Sequence, residues 1–419
     1  MWLAACGSDP LRQPGDDDDG GSGGTGASGG SSGKGGSSGA TTIPDYTQSP
    51  CYGQTTTTRV YDVTTHLTPE VQATCRAEGE HARVYVVDAL WQTPIASGAS
   101  LLNQAEINAF MYGYEVAGND DGVEPGLGVL PTDEQVFGEL PASALTDGKL
   151  SIFIVDSGGA GEGYLCGWCD HTELHLDAPL LRSLHGEKAM SIAAHETFHA
   201  IHRGYDANEM VWVDETLAEA AMTANGYFTD QAWLGDFLQN TNIEWGPTLT
   251  NALDFNYGAG LLYGTYLLEH GGSQLMRAIT REAKDSWEGI DAALTSVGDS
   301  ADAFGLFEDM ALAAFLDDDA SYGFRSFDLA GGVVPAIVDA GDRYAATLVP
   351  YGIIYVEFEP NSRGFTLTTN ADVSARFVLS GSPVRVADVA PGEPVQFDEP
   401  PRVLVLTATT QAPFTLTVR

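Results

Sequence analysis

The sequence predicts an α+β protein in which a mixed α/β region and a helical region are followed by a small all-β sandwich. Three observations support this fold class. Apolar runs of strand and helix length alternate over 81–155, helix-like apolar spacing covers 187–317, and apolar and polar residues alternate near the C-terminus. The chain of 419 residues therefore divides into domains of 51–185, 186–338 and 339–419, with shorter segments before them.

The mixed α/β region begins the folded part. Residues 81–88 and 150–155 have the apolar composition of strands, and residues 101–116 place apolar side chains at helical spacing. A third, short strand is predicted at 163–169. These elements predict a small mixed sheet with a helix packed against it.

The helical region carries a series of amphipathic segments that Gly and Asn residues separate. The predicted helices cover 187–203, 209–225, 231–239, 257–270, 273–284 and 302–317. Beyond them the side-chain period becomes two, which is typical of strands with one buried face. About six short strands are predicted there and indicate a sandwich, at 354–359, 365–369, 375–379, 384–389, 403–409 and 414–419.

The N-terminal segments indicate where the protein is found. Leu-Ala-Ala-Cys-Gly over 3–7 resembles the lipobox of bacterial lipoprotein signals, in which the residue equivalent to Cys6 is acylated. The usual basic and long apolar stretches are missing, so either residues 1–6 are a truncated signal or the match is chance. Residues 7–50 are rich in Gly, Ser and Asp and predict a disordered tether. We expect an extracytoplasmic bacterial protein that is secreted or lipid-anchored at the outer surface.

The charge of the chain excludes one class of partner. It has 19 Lys+Arg against 58 Asp+Glu, which gives a net charge of −39. Nucleic-acid binding needs a basic surface, so no nucleic-acid partner is expected. No run of apolar residues reaches the length of a membrane-spanning helix, which leaves a lipid on Cys6 as the expected membrane contact. We expect a monomer.

Four further cysteines can form two disulfides. Cys51 and Cys75 flank the start of the folded part, and Cys166 and Cys169 form Cys-Gly-Trp-Cys. An even number fits disulfides in an oxidising compartment. The alternative for Cys166 and Cys169 is a redox or metal-binding pair, but a structural zinc site would need a second pair at similar spacing, which the sequence lacks.

A metal-binding pattern lies near the start of the helical region. His195 and His199 are four residues apart in His-Glu-Thr-Phe-His, so on a helix they project from one face. Two neutral imidazoles so placed can hold one zinc ion, and Glu196 can remove a proton from a water molecule. The largely apolar residues 190–194 favour a buried helix over a solvent-exposed one. We therefore expect one Zn2+ per chain and a catalytic Glu196.

The third zinc ligand distinguishes the classes of zinc peptidase. In metzincins a Gly lies three residues after the second His, and a His or Asp lies three residues further. Here these positions are His202 and Tyr205, so this class is excluded. With His202 as well as a carboxylate the metal would have no open position, so we expect that His202 does not bind it.

The next predicted helix offers the missing carboxylate. Residues 211–219 (VWVDETLAE) resemble the Trp-Leu-Asn-Glu-Gly-Phe-Ala signature of the aminopeptidase N family and, with the His-Glu-x-x-His motif, are similar to the hyicolysin-like secreted peptidases. The resemblance implies a gluzincin zinc metallopeptidase with a zincin-type catalytic domain and Glu215 as third ligand. It also implies that Glu219 orients a zinc-bound His, as an acidic residue at this offset does in thermolysin. The reverse assignment of Glu215 and Glu219, or a solvent-facing Glu219, stays open.

Residues 256–262 resemble the Tyr-x-x-Gly segment of aminopeptidase N relatives. The resemblance implies that Tyr257 donates a hydrogen bond to the oxyanion of the reaction, with core packing of Tyr257 as the alternative. The Gly-x-Met-Glu-Asn signature of that family is absent, which favours an endopeptidase, and Thr216 stands where Gly is usual. His171 and His175, in an acidic strand-like segment, are expected to be solvent-exposed rather than part of a substrate cleft.

These expectations combine into an extracellular zinc-dependent endopeptidase that acts on protein or peptide substrates. One alternative is a catalytically silent surface binding or adhesion protein on a peptidase scaffold. The intact set of His195, Glu196, His199 and Glu215 argues against it, because degenerate sites usually lose one such residue. Another alternative is a zinc hydrolase with a non-peptide substrate.

Overall fold

The structure is a computed structural model in which eight helices and three sheets are described, which confirms the α+β class. The described residues are 5–6, 42–62, 65–92, 102–157, 162–227, 231–249, 254–317, 322–329, 332–379, 384–397 and 403–419. Most of the predicted tether and the side chain of Cys6 lie outside them. Within the predicted tether, however, Tyr46–Gln48 forms a 3-10 helix and Tyr46 packs against the core.

The first sheet has seven strands in the order β1-β6-β7-β5-β4-β3-β2. The strands are β1 (Ala5–Cys6), β2 (Thr55–Arg59), β3 (Glu70–Glu78), β4 (Ala82–Val87), β5 (Leu150–Val155), β6 (Gly163–Leu165) and β7 (Glu173–Asp177). Strands β4, β5 and β7 are parallel, and the other pairs are antiparallel. Every residue of β5 is buried at the centre of the sheet, which explains why all its residues but Ser151 are apolar.

Eight α-helices accompany the sheets. They are α1 (Gln104–Glu115), α2 (Val129–Val136), α3 (Glu187–Tyr205), α4 (Val211–Ala224), α5 (Gln231–Gln239), α6 (Tyr257–Thr280), α7 (Ser286–Val297) and α8 (Ala303–Leu316). The two helices predicted at 257–270 and 273–284 form one span with a break at Gly272, whose φ is 58°. Helix α7 was not predicted, and it contains a glycine, Gly289, whose added Cβ would lie 2.1 Å from the carbonyl oxygen of Lys284.

The C-terminal strands form two packed sheets. The strands are β8 (Ala336–Val338), β9 (Arg343–Leu348), β10 (Ile353–Phe358), β11 (Gly364–Thr369), β12 (Ser374–Leu379), β13 (Arg385–Asp388), β14 (Pro394–Gln396), β15 (Val403–Thr407) and β16 (Ala412–Val418). One sheet has the order β13-β12-β15-β10-β8 and the other has the order β14-β11-β16-β9. The described residues thus form nine strands here, where six were predicted. The edge strands β8, β9 and β14 have few or no fully buried residues, so their sequences carry little signal of strand structure.

The central strand of the five-stranded sheet, β15, is buried on both faces. Along β15, Leu404 and Leu406 belong to the core between the two sheets. Val403 and Val405 belong instead to the large core that also contains the helices. The sandwich therefore continues the hydrophobic core of the helical region.

Polar contacts reinforce this junction. The hydroxyl of Tyr355 on β10 donates to the carbonyl of Ala311 on α8 over 2.8 Å. Arg376 on β12 binds Glu308 over 2.7 Å and Asp309 over 2.6 Å, both on α8. Burial raises the pKa of Glu308, so the arginine stabilises a carboxylate that is otherwise poorly solvated.

Two further expectations concern the disulfides and membrane-spanning helices. The structure pairs Cys51 with Cys75 and Cys166 with Cys169 in disulfides. Among the helices that the structure describes, none combines the length and apolar character needed to traverse a lipid bilayer.

We expect Arg376→Met to destabilise the fold by about 2 kcal/mol, because it leaves the carboxylates of Glu308 and Asp309 without their cation. Denaturant unfolding of the full chain measures this change. Arg385→Met on the neighbouring exposed strand is the matched control and should change stability by less than about 0.5 kcal/mol. Equal effects of the two substitutions would show that the ion pairs at the junction contribute nothing specific.

Candidate metal centre

Helix α3 supplies two histidines of a candidate metal centre. Small and apolar residues over 189–194 pack against the sheet, and this packing buries the face that carries the motif. The side chains of His195 and His199 are 0% and 3% exposed, and their Nε2 atoms lie 3.1 Å apart. The spacing of four residues therefore has the predicted effect of placing both rings on one face.

Helix α4 runs antiparallel to α3 and supplies a carboxylate. The direction follows from two contacts, because Ser191 meets Met222 at one end and His202 meets Asp214 at the other. Between these contacts, Oε2 of Glu215 lies 3.3 Å from His195 Nε2 and 3.8 Å from His199 Nε2. One donor atom from each of the three residues can be chosen such that all lie within 4.8 Å of one another.

The protons of the two rings can be assigned from their partners. His195 Nδ1 lies 3.2 Å from Glu219 Oε1, and His199 Nδ1 lies 3.0 Å from Asp214 Oδ2. An ionised carboxylate only accepts hydrogen bonds, so a carboxylate beside each Nδ1 favours the tautomer with the hydrogen on Nδ1 and the lone pair on Nε2. Two lone pairs and an anionic oxygen of Glu215 then face one another with no proton between them.

Such a set of donors fits a metal ion. Three ligands at about 2.1 Å from a tetrahedral metal lie about 3.4 Å from each other, close to the separations found here. A cation between the donors removes the repulsion of the lone pairs and neutralises buried charge. The residues His195, His199 and Glu215 can therefore hold a metal ion. Glu219 contacts the back of a ring instead, which favours Glu215 over Glu219 as the ligand.

Asp214 and His202 belong to the centre although sequence reasoning gave Asp214 no role. One oxygen of Asp214 lies 3.0 Å from His199 Nδ1, and the other lies 2.7 Å from His202 Nδ1. His202 is not in the set of described donors that could hold an ion. The sequence did contain a signal, since His195, His199 and His202 recur on one helical face and Asp214 directly precedes Glu215.

Glu196 lies between α3 and strand β6. A Cβ added to Gly163 of β6 would lie 2.4 Å from Ile192 and 3.3 Å from Cγ of Glu196, so the strand backbone packs directly against the helix. Glu196 is 0% exposed, and its carboxylate oxygens have no hydrogen-bond partner among the described residues. Burial raises the pKa of Glu196 to about 7, against the opposing effect of His199 and His195.

Tyr257 begins α6 beside the centre. Asn256 caps this helix by accepting a hydrogen bond from the backbone of Ala259 over 2.9 Å. The ring of Tyr257 is 8% exposed, and its centroid lies 6.3 Å from that of His195. Tyr263 is further along α6 and donates to Ala303, which makes it a core residue as expected.

His175 differs from its sequence expectation because it is 0% exposed. It lies in β7 between β6 and β5, where Nδ1 contacts the hydroxyl of Tyr164 at 2.8 Å and Nε2 contacts Glu173 at 3.1 Å. Its ring is close to Cys166 and Cys169. Their sulfur atoms form a disulfide and both ring nitrogens have partners, so this second group is a structural network. His171 is exposed as expected.

Comparison with protein-family models gives no match for this chain, and comparison with curated proteins gives none either. The chemistry of the centre is therefore inferred from its own residues.

A divalent transition metal should stabilise the chelator-treated protein, because the three donors converge only in the folded chain. At a free metal concentration of 100 times the Kd, the free energy of unfolding should rise by about 2.7 kcal/mol, measured as an increase in Tm. Glu215→Gln keeps the shape of the side chain but removes its charge, and should lose most of this increase. His171→Asn replaces an exposed histidine and should keep it. An undiminished increase in Glu215→Gln would contradict the assigned donor set.

Proposed function

We propose that the chain is a zinc-dependent metalloendopeptidase of the gluzincin type that binds one Zn2+ through His195, His199 and Glu215. The observation that carries this proposal is the convergence of three buried donors beside the unpartnered carboxylate of Glu196. Two imidazoles and one carboxylate are a common donor set of catalytic zinc sites, in which the fourth position stays open for the reaction.

The residues around the metal have different roles in the proposed reaction. Bound zinc supplies Lewis-acid polarisation of a carbonyl group and activation of a water molecule. Glu196 accepts a proton from the attacking water and delivers it to the departing amine. Tyr257 donates its phenolic hydrogen to the oxygen that becomes negatively charged. Asp214 and Glu219 keep the two histidines in the tautomer that binds a metal.

The substrate class and location are also part of the proposal. The absence of a Gly-x-Met-Glu-Asn signature supports cleavage within protein or peptide chains over removal of N-terminal residues. Two disulfides support an oxidising compartment outside the cytoplasm. With the lipobox-like segment at Cys6, they support a bacterial peptidase that is secreted or anchored by a lipid.

A second function, binding without catalysis, is favoured by one observation. The side chains of His195, Glu196, His199 and Glu215 are each at most 3% exposed, which leaves little of the donor set open to a substrate. A binding protein of this kind would carry stoichiometric zinc and leave casein intact, whereas the proposed peptidase cleaves it.

Glu196→Gln should lower the rate of casein cleavage by about 1,000-fold, because an amide cannot accept the proton of the attacking water. Zinc content, measured by elemental analysis, should stay at the parent value because this residue is not a ligand. Glu187→Gln, at an exposed position of the same helix, is the matched control and should leave the rate unchanged. A Glu196→Gln variant as active as the parent would exclude the mechanism.

Tyr257→Phe should lower kcat by about 100-fold with little change in KM, since the phenol acts on the charge that develops during the reaction. Tyr266→Phe on the same helix removes a hydroxyl away from the centre and should retain the parent kcat. Kinetics on a fluorogenic peptide substrate separate the two parameters. A change confined to KM, or equal effects of both substitutions, would assign Tyr257 to packing.

A further inference from the structure

His202 is a buried histidine of α3 that the proposed mechanism leaves without a role. It is 1% exposed, and its Nδ1 lies 2.7 Å from Asp214 Oδ1. The other oxygen of Asp214 lies 3.0 Å from Nδ1 of the metal ligand His199. Asp214 of α4 therefore contacts both the candidate ligand His199 and His202, which lies about one turn further along α3.

We propose that His202 is a positioning residue of the metal centre, which holds Asp214 in the orientation that fixes the ring of His199. The inference deepens the proposed function and rests on its metal site. It assigns to His202 an effect on metal affinity and on coordination geometry, although its own nitrogen atoms never reach the metal.

Asp214 needs a second partner because it is the more exposed of the two supporting carboxylates. Its side chain is 33% exposed, whereas Glu219, which supports His195, is 0% exposed. A short carboxylate with one hydrogen bond can rotate about its last bond and turn an oxygen to water. The contact with His202 occupies the second oxygen and thereby fixes the plane of the group. Glu219 is fully buried, so the side chains around it restrict its rotation.

The contacts of Asp214 are consistent with this role. Each of its oxygens lies beside the Nδ1 atom of a histidine, at 2.7 Å for His202 and 3.0 Å for His199. An ionised carboxylate only accepts hydrogen bonds, so this arrangement favours the hydrogen on Nδ1 of both rings. The same arrangement leaves Nε2 of His199 with its lone pair facing the other metal donors.

His202 itself is held rigidly. Its ring centroid lies 5.1 Å from that of Phe198, which is fully buried and packs edge-on against Phe137 at 4.9 Å. Its Nε2 has no hydrogen-bond partner among the described residues. The bond from Nδ1 to Asp214 is therefore the polar contact on which the orientation of the ring depends.

Two amide substitutions distinguish positioning from packing. The side-chain nitrogen of Asn occupies roughly the place of Nδ1, and that of Gln roughly the place of Nε2. His202→Asn should therefore keep the hydrogen bond to Asp214, and His202→Gln should lose it although Gln fills the space better. His270→Asn changes a histidine that binds Asp299 far along α6, and serves as the matched control.

The measurements are the Kd of Co2+ by chelator competition and the visible d–d spectrum of the Co2+ complex, both on the full chain. We expect His202→Asn to bind Co2+ within about threefold of the parent, and His202→Gln to bind about tenfold more weakly with an altered spectrum. His270→Asn should match the parent. If His202→Gln does not fold, His202→Phe replaces it, since it keeps the packing on Phe198 but has no donor.

Parent-like affinity and spectrum in His202→Gln (or in its replacement His202→Phe) would overturn the inference, as would equal losses in the Asn and Gln variants. Casein cleavage by the parent is scored separately. A parent that binds Co2+ but leaves casein intact with zinc overturns the peptidase function and leaves the test of His202 in force. A parent that binds no Co2+ overturns both.

Discussion

The centre brings four carboxylates together in a largely buried region, and the structure around it depends on how their negative charge is balanced. Glu196, Asp214, Glu215 and Glu219 all lie along the contact between α3 and α4, where the ion pairs of the last three are with histidines. Burying several carboxylates together is costly unless positive charge accompanies them. Burial alone would lower the pKa of His199, yet Asp214 and Glu215 raise it above its usual value. The site therefore attracts positive charge, which a divalent ion can provide.

Other helices and strands pack closely against α3 and α4, the two helices that carry the candidate ligands. A Cβ on Gly264 of α6 would lie 2.3 Å from the carbonyl oxygen of Thr216 on α4, so only glycine allows this approach. On the other side, Gly163 lets strand β6 lie directly on Ile192 and Glu196. Thr216 stands where the resembling family has Gly, and its backbone is the surface on which α6 packs. These glycines thus allow the close packing of backbones around the charged residues of the centre.

The local part of the centre could be predicted from sequence, and the part that depends on helix rotation could not. His195, Glu196 and His199 follow from the period of one helix, and Glu215 follows from a resemblance in the next. Asp214 was not predicted because its contacts with His199 and His202 depend on how α4 is rotated relative to α3.

The same limit explains other differences. The sequence around His175 is acidic and indicates exposure, but β7 lies inside the sheet, where a polar network satisfies this ring. Strand β3 was not predicted because polar residues interrupt its apolar positions, and α7 because of Gly289. Strands β5 and β15 are apolar at every position but one, so their prediction required no knowledge of their neighbours.

The C-terminal sandwich is connected to the centre through a series of contacts between helices. Tyr257 depends on the placement of α6, and α6 is joined to α8 by the bond from Tyr263 to Ala303. Helix α8 in turn rests on β10 and β12 through Tyr355 and Arg376. Since β15 contributes to a hydrophobic core on each of its faces, removal of the sandwich would expose apolar surface of the helical region to water. The position of Tyr257, whose phenol the proposed reaction uses, therefore depends on the packing of the C-terminal sandwich against the helices.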